Sequence, residues 1–331
     1  MASRGWIKDD NKVAAFAYRE EDITNKGVYI NLMRQLNRLA KHTKGGLGIR
    51  TQRQYYNHMD QFTRFLADDF GLQNLSNIHG RHIAAYIEER QSEGLSASAI
   101  DLDLSAIRYF HDQYGSEVRN RIPENVDLCK RYGITLDLRS YGKVNRRWTD
   151  TEIAEMTDLA MRKGRTDIAK IIQLGAGLGP RIHEITRLSR PDALRAIRTG
   201  FLHVKGKNGL ERDIPLRGAM ADLLKATASS VSGDAKLFVP QGRKTHEIIQ
   251  SVQDFIRNHR DKVAEQGVRS HGVRMTFHGL RHRYAFDRYQ EFRGAGFTAG
   301  AARLMVSKLI GHRRDEITRI YLGETTEEDA E

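Results

Sequence analysis

Six side chains in the second half of this chain are of types that could move a phosphoryl group: Arg181, Lys207, His278, Arg281, His312 and Tyr321. Breaking a phosphodiester without a metal requires charge on the non-bridging oxygens to be neutralised as the transition state forms. Guanidiniums suit that task, because each presents a planar fork of donors and stays charged at any working pH. Arg181 and Arg281 are the candidates for it. Tyr321 is the candidate nucleophile, nine residues beyond the histidine of Gly311-His312. A phenol has a pKa near about 10, so its proton must be removed or its developing oxyanion stabilised as it attacks. Proton carriers are at hand in Lys207, His278 and His312. Taken singly, each has an ordinary reading: a surface charge, a packed helical tyrosine or a structural histidine.

The elements that must position these groups are legible nearby. Lys205-Gly-Lys207-Asn208-Gly209 contains an Asn-Gly pair, the hairpin signal, between strand-like segments at Phe201–Val204 and Glu211–Leu216. Lys205 is the rival of Lys207 on that hairpin. Arg181 follows a glycine-rich turn, Gly175 to Gly179, and Pro180, whose fixed φ suits the first turn of a helix. Upstream, Thr149-Asp-Thr-Glu152 has the pattern of a capping box, followed by the apolar face of Ile153, Met156 and Leu159 and a stop at Gly164. Ile168, Ile171 and Ile172 mark another helix, and from Arg217 onward the pattern is mainly helical.

The first half has a different texture. Residues 1–25 are polar and aperiodic and read as a flexible arm. Val28, Leu32, Leu36 and Leu39 begin a helical period that stops at Lys44-Gly45-Gly46. Further helices are expected from Thr51, over about Gly80–Gln91, and from a Ser96 cap, giving a four-helix all-α unit over 26–115. Residues 116–147, with Pro123, Gly133, Gly142 and the basic run Lys143 to Arg147, read as a basic linker able to face phosphate. A second domain follows over 148–323, and 324–331 is an acidic tail.

Four segments together resemble the tyrosine recombinase, or phage integrase, family. Leu178-Gly-Pro-Arg181-Ile-His-Glu184 is similar to its first arginine motif. Val204-Lys-Gly-Lys207 with Glu211-Arg212 and Pro215 resembles its lysine hairpin. Thr276-Phe-His278-Gly-Leu-Arg281-His282 resembles its His-x-x-Arg box, and Gly311-His312 with Tyr321 its terminal box. The resemblance implies a mainly α fold with a small antiparallel β-sheet: an all-α, SAM-like core-binding domain followed by an α+β catalytic domain. It also implies attack by Tyr321 to leave a 3′-phosphotyrosine and a free 5′-hydroxyl. Lys207 would protonate the leaving oxygen, and Glu184 would orient Arg181 or His278. His282 and Arg283 would support, as DNA contacts. The stretch Glu291–Gly300 has the look of an insertion relative to the family.

Charge agrees with such a partner. Lys plus Arg number 54 against 42 acidic residues, a formal net charge of +12 that favours a polyanion. No stretch approaches the ~20 apolar residues of a membrane span, so a membrane role is not expected. The N-terminus has no apolar signal core, and the single cysteine, Cys129, allows no intrachain disulfide. These features lead us to expect a soluble cytoplasmic, nucleoid-associated protein of prokaryotic or phage origin.

The chain lacks a zincin motif, paired cysteines and a P-loop lysine, so neither a metal nor ATP is expected as cofactor. His278 and His282 stand four apart, a zinc-compatible spacing, but Arg281 beside them disfavours a cation. The expected partners are double-stranded recombination sites and further copies of the chain, as dimer to tetramer on DNA, with accessory DNA-bending proteins left open. Two alternatives stay open at this level: a type IB topoisomerase-like enzyme and a non-cleaving DNA-binding protein of the same fold.

Overall fold

The computed structural model describes residues 5–42, 46–115, 118–138, 144–206, 209–269, 272–311 and 315–322. Lys207, His312 and the acidic tail lie outside the described residues. The chain divides into two compact units, Met1–Arg139 and Ser140–Glu331. The whole is mainly α, with one small antiparallel sheet. No described helix is long and apolar enough to cross a membrane.

The first unit is helical: α1 (Asp10–Arg19), α2 (Lys26–His42), α3 (Ile49–Phe70), α4 (Gly80–Ser92), α5 (Ala97–Asp112) and α6 (Asn125–Tyr132). The four-residue spacing on α2 turns Val28, Leu32 and Leu36 inward, where they meet Met59, Phe62 and Leu66 of α3 and Leu104, Ile107 and Phe110 of α5. Burying such side chains, at roughly 1.5–3 kcal/mol each, stabilises helices more than intrinsic propensity does.

Two expectations are corrected here. Within the expected arm of residues 1–25, the described residues 5–25 are not loose, because α1 belongs to this core. Asp9 caps it by accepting from the Lys12 amide, Val13 and Ala17 are buried, and Trp6 meets Tyr56 edge-on at 5.5 Å. The segment's apolar contacts, from Trp6, Ile7, Val13, Phe16, Ala17 and Ile23, are spread over loop and helix and so keep no single period, and Lys8 adds an ion pair to the buried Asp60 at 2.5 Å. Nor are residues 116–147 simply a linker. They include α6, whose Leu128 is fully buried in the first unit's core, while residues 145–147 belong to the second unit.

The second unit runs α7 (Asp150–Arg162), α8 (Thr166–Leu178), α9 (Ile182–Ile185), α10 (Arg190–Thr199), β1 (Phe201–Lys205), β2 (Glu211–Pro215), α11 (Gly218–Ser229), α12 (Thr245–Val263), α13 (Phe277–Gly294), α14 (Ala299–Ile310) and α15 (Asp315–Leu322). The capping box opens α7 with both of its hydrogen bonds formed. The strands are antiparallel, with Phe201 opposite Pro215 and Lys205 opposite Glu211. Their alternation sends Leu202, Val204, Arg212 and Ile214 inward. Ile168, Ile171, Ile172 and Leu178 of α8 share one core with Phe277 and Leu280 of α13. This contact brings the start of α13 to the end of α8, where the site is built.

Candidate active site

Arg181 sits at the N-cap of α9, and Glu184 on that first turn reaches back to it. The Arg181 amide donates to Glu184 Oε2 at 2.7 Å, and its Nη1 donates to Oε1 at 3.1 Å. Pro180 therefore precedes the helix instead of lying in its first turn. The reason is Gly179, which ends α8 in the left-handed region at φ 65° and leaves room for Arg181 to cap the next turn.

Glu184 is buried, and a second arginine covers it. Arg212 Nη1 and Nη2 donate to Oε1 and Oε2 of Glu184 at 2.9 and 2.7 Å, and its Nε donates to the Leu309 carbonyl at 3.0 Å. Although burial alone would raise it, hydrogen bonds and charge from Arg212, with Arg181 and Arg281, hold the carboxyl down at about 2. Glu184 hydrogen-bonds arginines and not His278. In the sequence Arg212 served only to anchor the lysine hairpin. The signal that marks it is strand alternation, which puts a charge at an inward position beside Ile214.

Arg281 is 1% exposed and held by backbone. Its Nη1 donates to the Gly179 carbonyl at 2.7 Å, and its Nη2 donates to the Ile310 carbonyl. These acceptors lie where α8 and α14 end, and both helices stop on a glycine of positive φ, Gly179 and Gly311. Unpaired carbonyls at helix C-termini carry partial negative charge, which suits a buried cation. Burial first, with Arg181 and Arg212 nearby, brings the guanidinium down to about 10, so it stays charged at neutral pH. Its Nε is buried and has no hydrogen-bond partner among the described residues.

Tyr321, on α15, lies against α13. Its ring stacks on His282 with centroids 4.5 Å apart, meets His278 edge-on at 5.3 Å, and has Arg281 Cζ 5.5 Å from its centre. His282 is 1% exposed, and burial, then the His278 charge, pushes its pKa down to about 3. The expectation of His282 as a DNA contact is corrected, since it is the floor under the tyrosine. Arg283 is likewise committed, to Asp287 at 2.7 Å and Asp150 at 3.0 Å. His278 is crowded by protein on most sides but keeps an exposed edge. Burial and the charges of Arg281 and Arg181 bring it down to about 4, and water at the open edge tempers that effect.

Gly279 explains how this cluster is roofed. A Cβ there would lie 2.4 Å from the Arg146 carbonyl oxygen and 2.7 Å from the Trp148 ring. The chain at 146–148 thus crosses directly over the first turn of α13, and the Trp148 indole donates to the Thr276 carbonyl at 2.9 Å. Lys205 points the other way. It is exposed and pairs with Glu211 at 3.3 Å, on the face opposite Arg212. Among the described residues no cluster of three metal-ligating side chains occurs.

This geometry joins Arg181, Glu184, Arg212, His278, Arg281, His282 and Tyr321. Residues 146–328, which contain all of them, match the phage integrase family, and residues 30–118 match the phage integrase N-terminal domain. The chain belongs to the phage integrase family. As a family member it is a tyrosine recombinase, an enzyme that cleaves and rejoins DNA. The tyrosine recombinase XerD of Rhizobium meliloti (strain 1021) is 26% identical over 254 residues, 75% of this chain and 76% of its own. XerC of Vibrio atlanticus (strain LGP32) is 25% identical over 318 residues, 88% of each. A crystal structure of a lambda integrase dimer bound to a COC′ core site shares the fold, with TM-score 0.62 and 18% identity over 89% of this chain and 78% of that one.

Proposed function

We propose that this integrase-family enzyme is a site-specific recombinase that cuts DNA with Tyr321 and integrates or excises a mobile element. The observation that carries the reading is the packing of Tyr321 against Arg281, His278 and His282, beside the Arg181–Glu184–Arg212 cluster. Three guanidiniums over one ionised carboxylate leave two net positive charges for a phosphodiester whose charge grows under attack.

In this mechanism the Tyr321 oxygen attacks phosphorus, and an O–P bond forms as the P–O5′ bond breaks. The phenol proton passes to His278, which is neutral at physiological pH and therefore able to accept it. The arriving phosphate offsets the arginine charges that depress that ring. Lys207 protonates the departing 5′-oxygen; the pairing of Lys205 with Glu211 supports that choice. His312 holds a phosphate oxygen. Rejoining reverses the steps with a new 5′-hydroxyl, and the phosphotyrosine conserves the bond energy, so ATP is not needed.

A lambda integrase dimer on a core site and a tetramer on a Holliday junction share this fold. They support DNA-bound dimers and tetramers here, acting on cytoplasmic DNA with accessory DNA-bending proteins as candidate partners. The test is a site carrying a 5′-bridging phosphorothiolate, which traps a covalent adduct. The wild type should form it and Tyr321→Phe should not; an adduct with Tyr321→Phe refutes the assignment. Exchange between two defined sites is expected, and supercoil relaxation without exchange would point to a topoisomerase instead.

A further inference from the structure

The segment that roofs α13 also reaches the helix bearing Tyr321. Arg147 Nη1 donates to the Leu322 carbonyl at 3.2 Å, one residue beyond the nucleophile. The same guanidinium lies 3.7 Å from the centre of the Phe286 ring. His278, His282 and Phe286 follow one another at four-residue spacing down one face of α13. Tyr321 therefore rests on the first two of these positions, and Arg147 on the third.

Arg147 is itself held in place. Asn145 Oδ1 accepts from its Nε at 3.0 Å and from its amide at 3.1 Å. Asn145 Nδ2 donates to the Val268 carbonyl at 2.7 Å, and Arg269 donates to the Arg147 carbonyl at 3.3 Å. Arg269 also forms a two-pronged pair with the buried Glu152. The strap is thus fastened to the loop after α12 on one side and to α13 on the other, where Arg283 donates to the Trp148 carbonyl at 3.3 Å.

Among the described residues α15 covers Asp315–Leu322, with Tyr321 in the last described turn. Helices in proteins are held chiefly by tertiary contacts, so a hydrogen bond from a distant segment to the Leu322 carbonyl fixes the turn that accepts it. The contact falls on the turn whose position decides where the phenol oxygen points.

We infer that Arg147 is a positioning residue for the nucleophile: by binding the Leu322 carbonyl it sets the last turn of α15, and hence Tyr321, over His278 and His282. The inference rests on the proposed role of Tyr321. It distinguishes Arg147 from the phosphate-binding arginines, since it serves only the step in which tyrosine attacks.

Two single-turnover assays on the full chain test this. Cleavage is followed on the phosphorothiolate site. Joining is followed on a nicked site bearing a 3′-p-nitrophenyl phosphate beside a 5′-hydroxyl; there the hydroxyl attacks phosphorus, p-nitrophenolate leaves, and no tyrosine is required. Arg147→Met keeps an apolar stem over Phe286 and removes the donor. It is expected to slow cleavage on the order of 100-fold through misplacement, with joining and DNA affinity close to wild type. Unchanged cleavage, or equal loss of both reactions, overturns the inference. Tyr321→Phe run alongside keeps the two readings apart: cleavage by that variant refutes the nucleophile itself. If Arg147→Met lacks a native circular dichroism spectrum, Asn145→Ser carries the same test with the same two outcomes.

Discussion

Arg212 places both terminal nitrogens of its guanidinium on the carboxylate of Glu184, at 2.9 and 2.7 Å, from a strand 28 residues further along the chain. Glu184 in turn holds Arg181 through backbone and side chain. One buried carboxylate thus fixes an arginine from the α9 cap against one from the sheet. Removing Arg212 would take away the bidentate partner of this buried charge and leave it one guanidinium contact, from Arg181. We expect Arg212→Met to lower stability by about 3–5 kcal/mol, the range for breaking a buried pair from one side. Urea denaturation checks this; a loss below ~1 kcal/mol would mean that water or another cation replaces the guanidinium.

The hairpin lysines separate by leaving-group chemistry. On an ordinary phosphodiester Lys207→Ala should cut far more slowly than wild type, by ~100-fold or more, as for loss of a general acid. On a 5′-bridging phosphorothiolate the sulfur departs without a proton, so the same variant should recover. Lys205→Ala, which removes only an exposed pair with Glu211, should behave as wild type on both substrates. Sulfur rescue of Lys205→Ala in place of Lys207→Ala would exchange their roles.

Arg281→Lys keeps a charge but cannot bridge the Gly179 and Ile310 carbonyls. We expect cleavage and joining to fall together by roughly 100- to 1,000-fold, since both pass through the same charged phosphorus. Selective loss of cleavage would move Arg281 from the phosphate to the tyrosine.

Gly279→Ala drives a methyl group into the Arg146 carbonyl at 2.4 Å and the Trp148 indole at 2.7 Å. Backbone cannot yield there as a flexible side chain would, so the strap must lift from α13. A lower melting temperature with slowed cleavage is expected, and an unchanged melting temperature would show that the strap has another seat.

Acid should weaken the catalytic unit in two stages. His282 has a folded-state pKa near 3 against an ordinary 6.5, so the unfolded chain binds the extra proton first, and stability falls as pH drops from 6.5 toward 3. Glu184 is depressed from 4.5 to about 2; its contribution is complete above 4.5 and is lost as pH falls toward 2. In the first unit His82, brought down to about 4 by burial, gives the same sign of acid sensitivity. The difference between wild type and His282→Phe in unfolding free energy, measured from pH 7 to 4.5, isolates the ring. A pH-independent difference would show that His282 does not titrate as placed.

Much of this protein was readable because the deciding interactions are local. The capping box of Thr149 and Glu152 joins residues three apart, and the α2 stripe follows from helical period alone. The order of the arginine, lysine, histidine and tyrosine motifs was also legible, and the family it indicates is the one the chain matches. Four features were not. Arg212 sits inside a motif but takes its role from Glu184 and Leu309. His282 looked like an outward group until Tyr321 was found to cover it. α1 and α6 declare themselves only through partners such as Asp60 and the core around Leu128. Arg147 read as one charge in a basic run, and only packing joins it to Leu322, 175 residues away. Sequence by itself determined which residue types are present and the short-range geometry that starts and stops each element, because those energies lie within a few residues. Tertiary structure alone decided which charges are buried, which carbonyls receive them and where the nucleophile rests. Those are energies of desolvation and contact between distant segments, and no spacing along the chain records them.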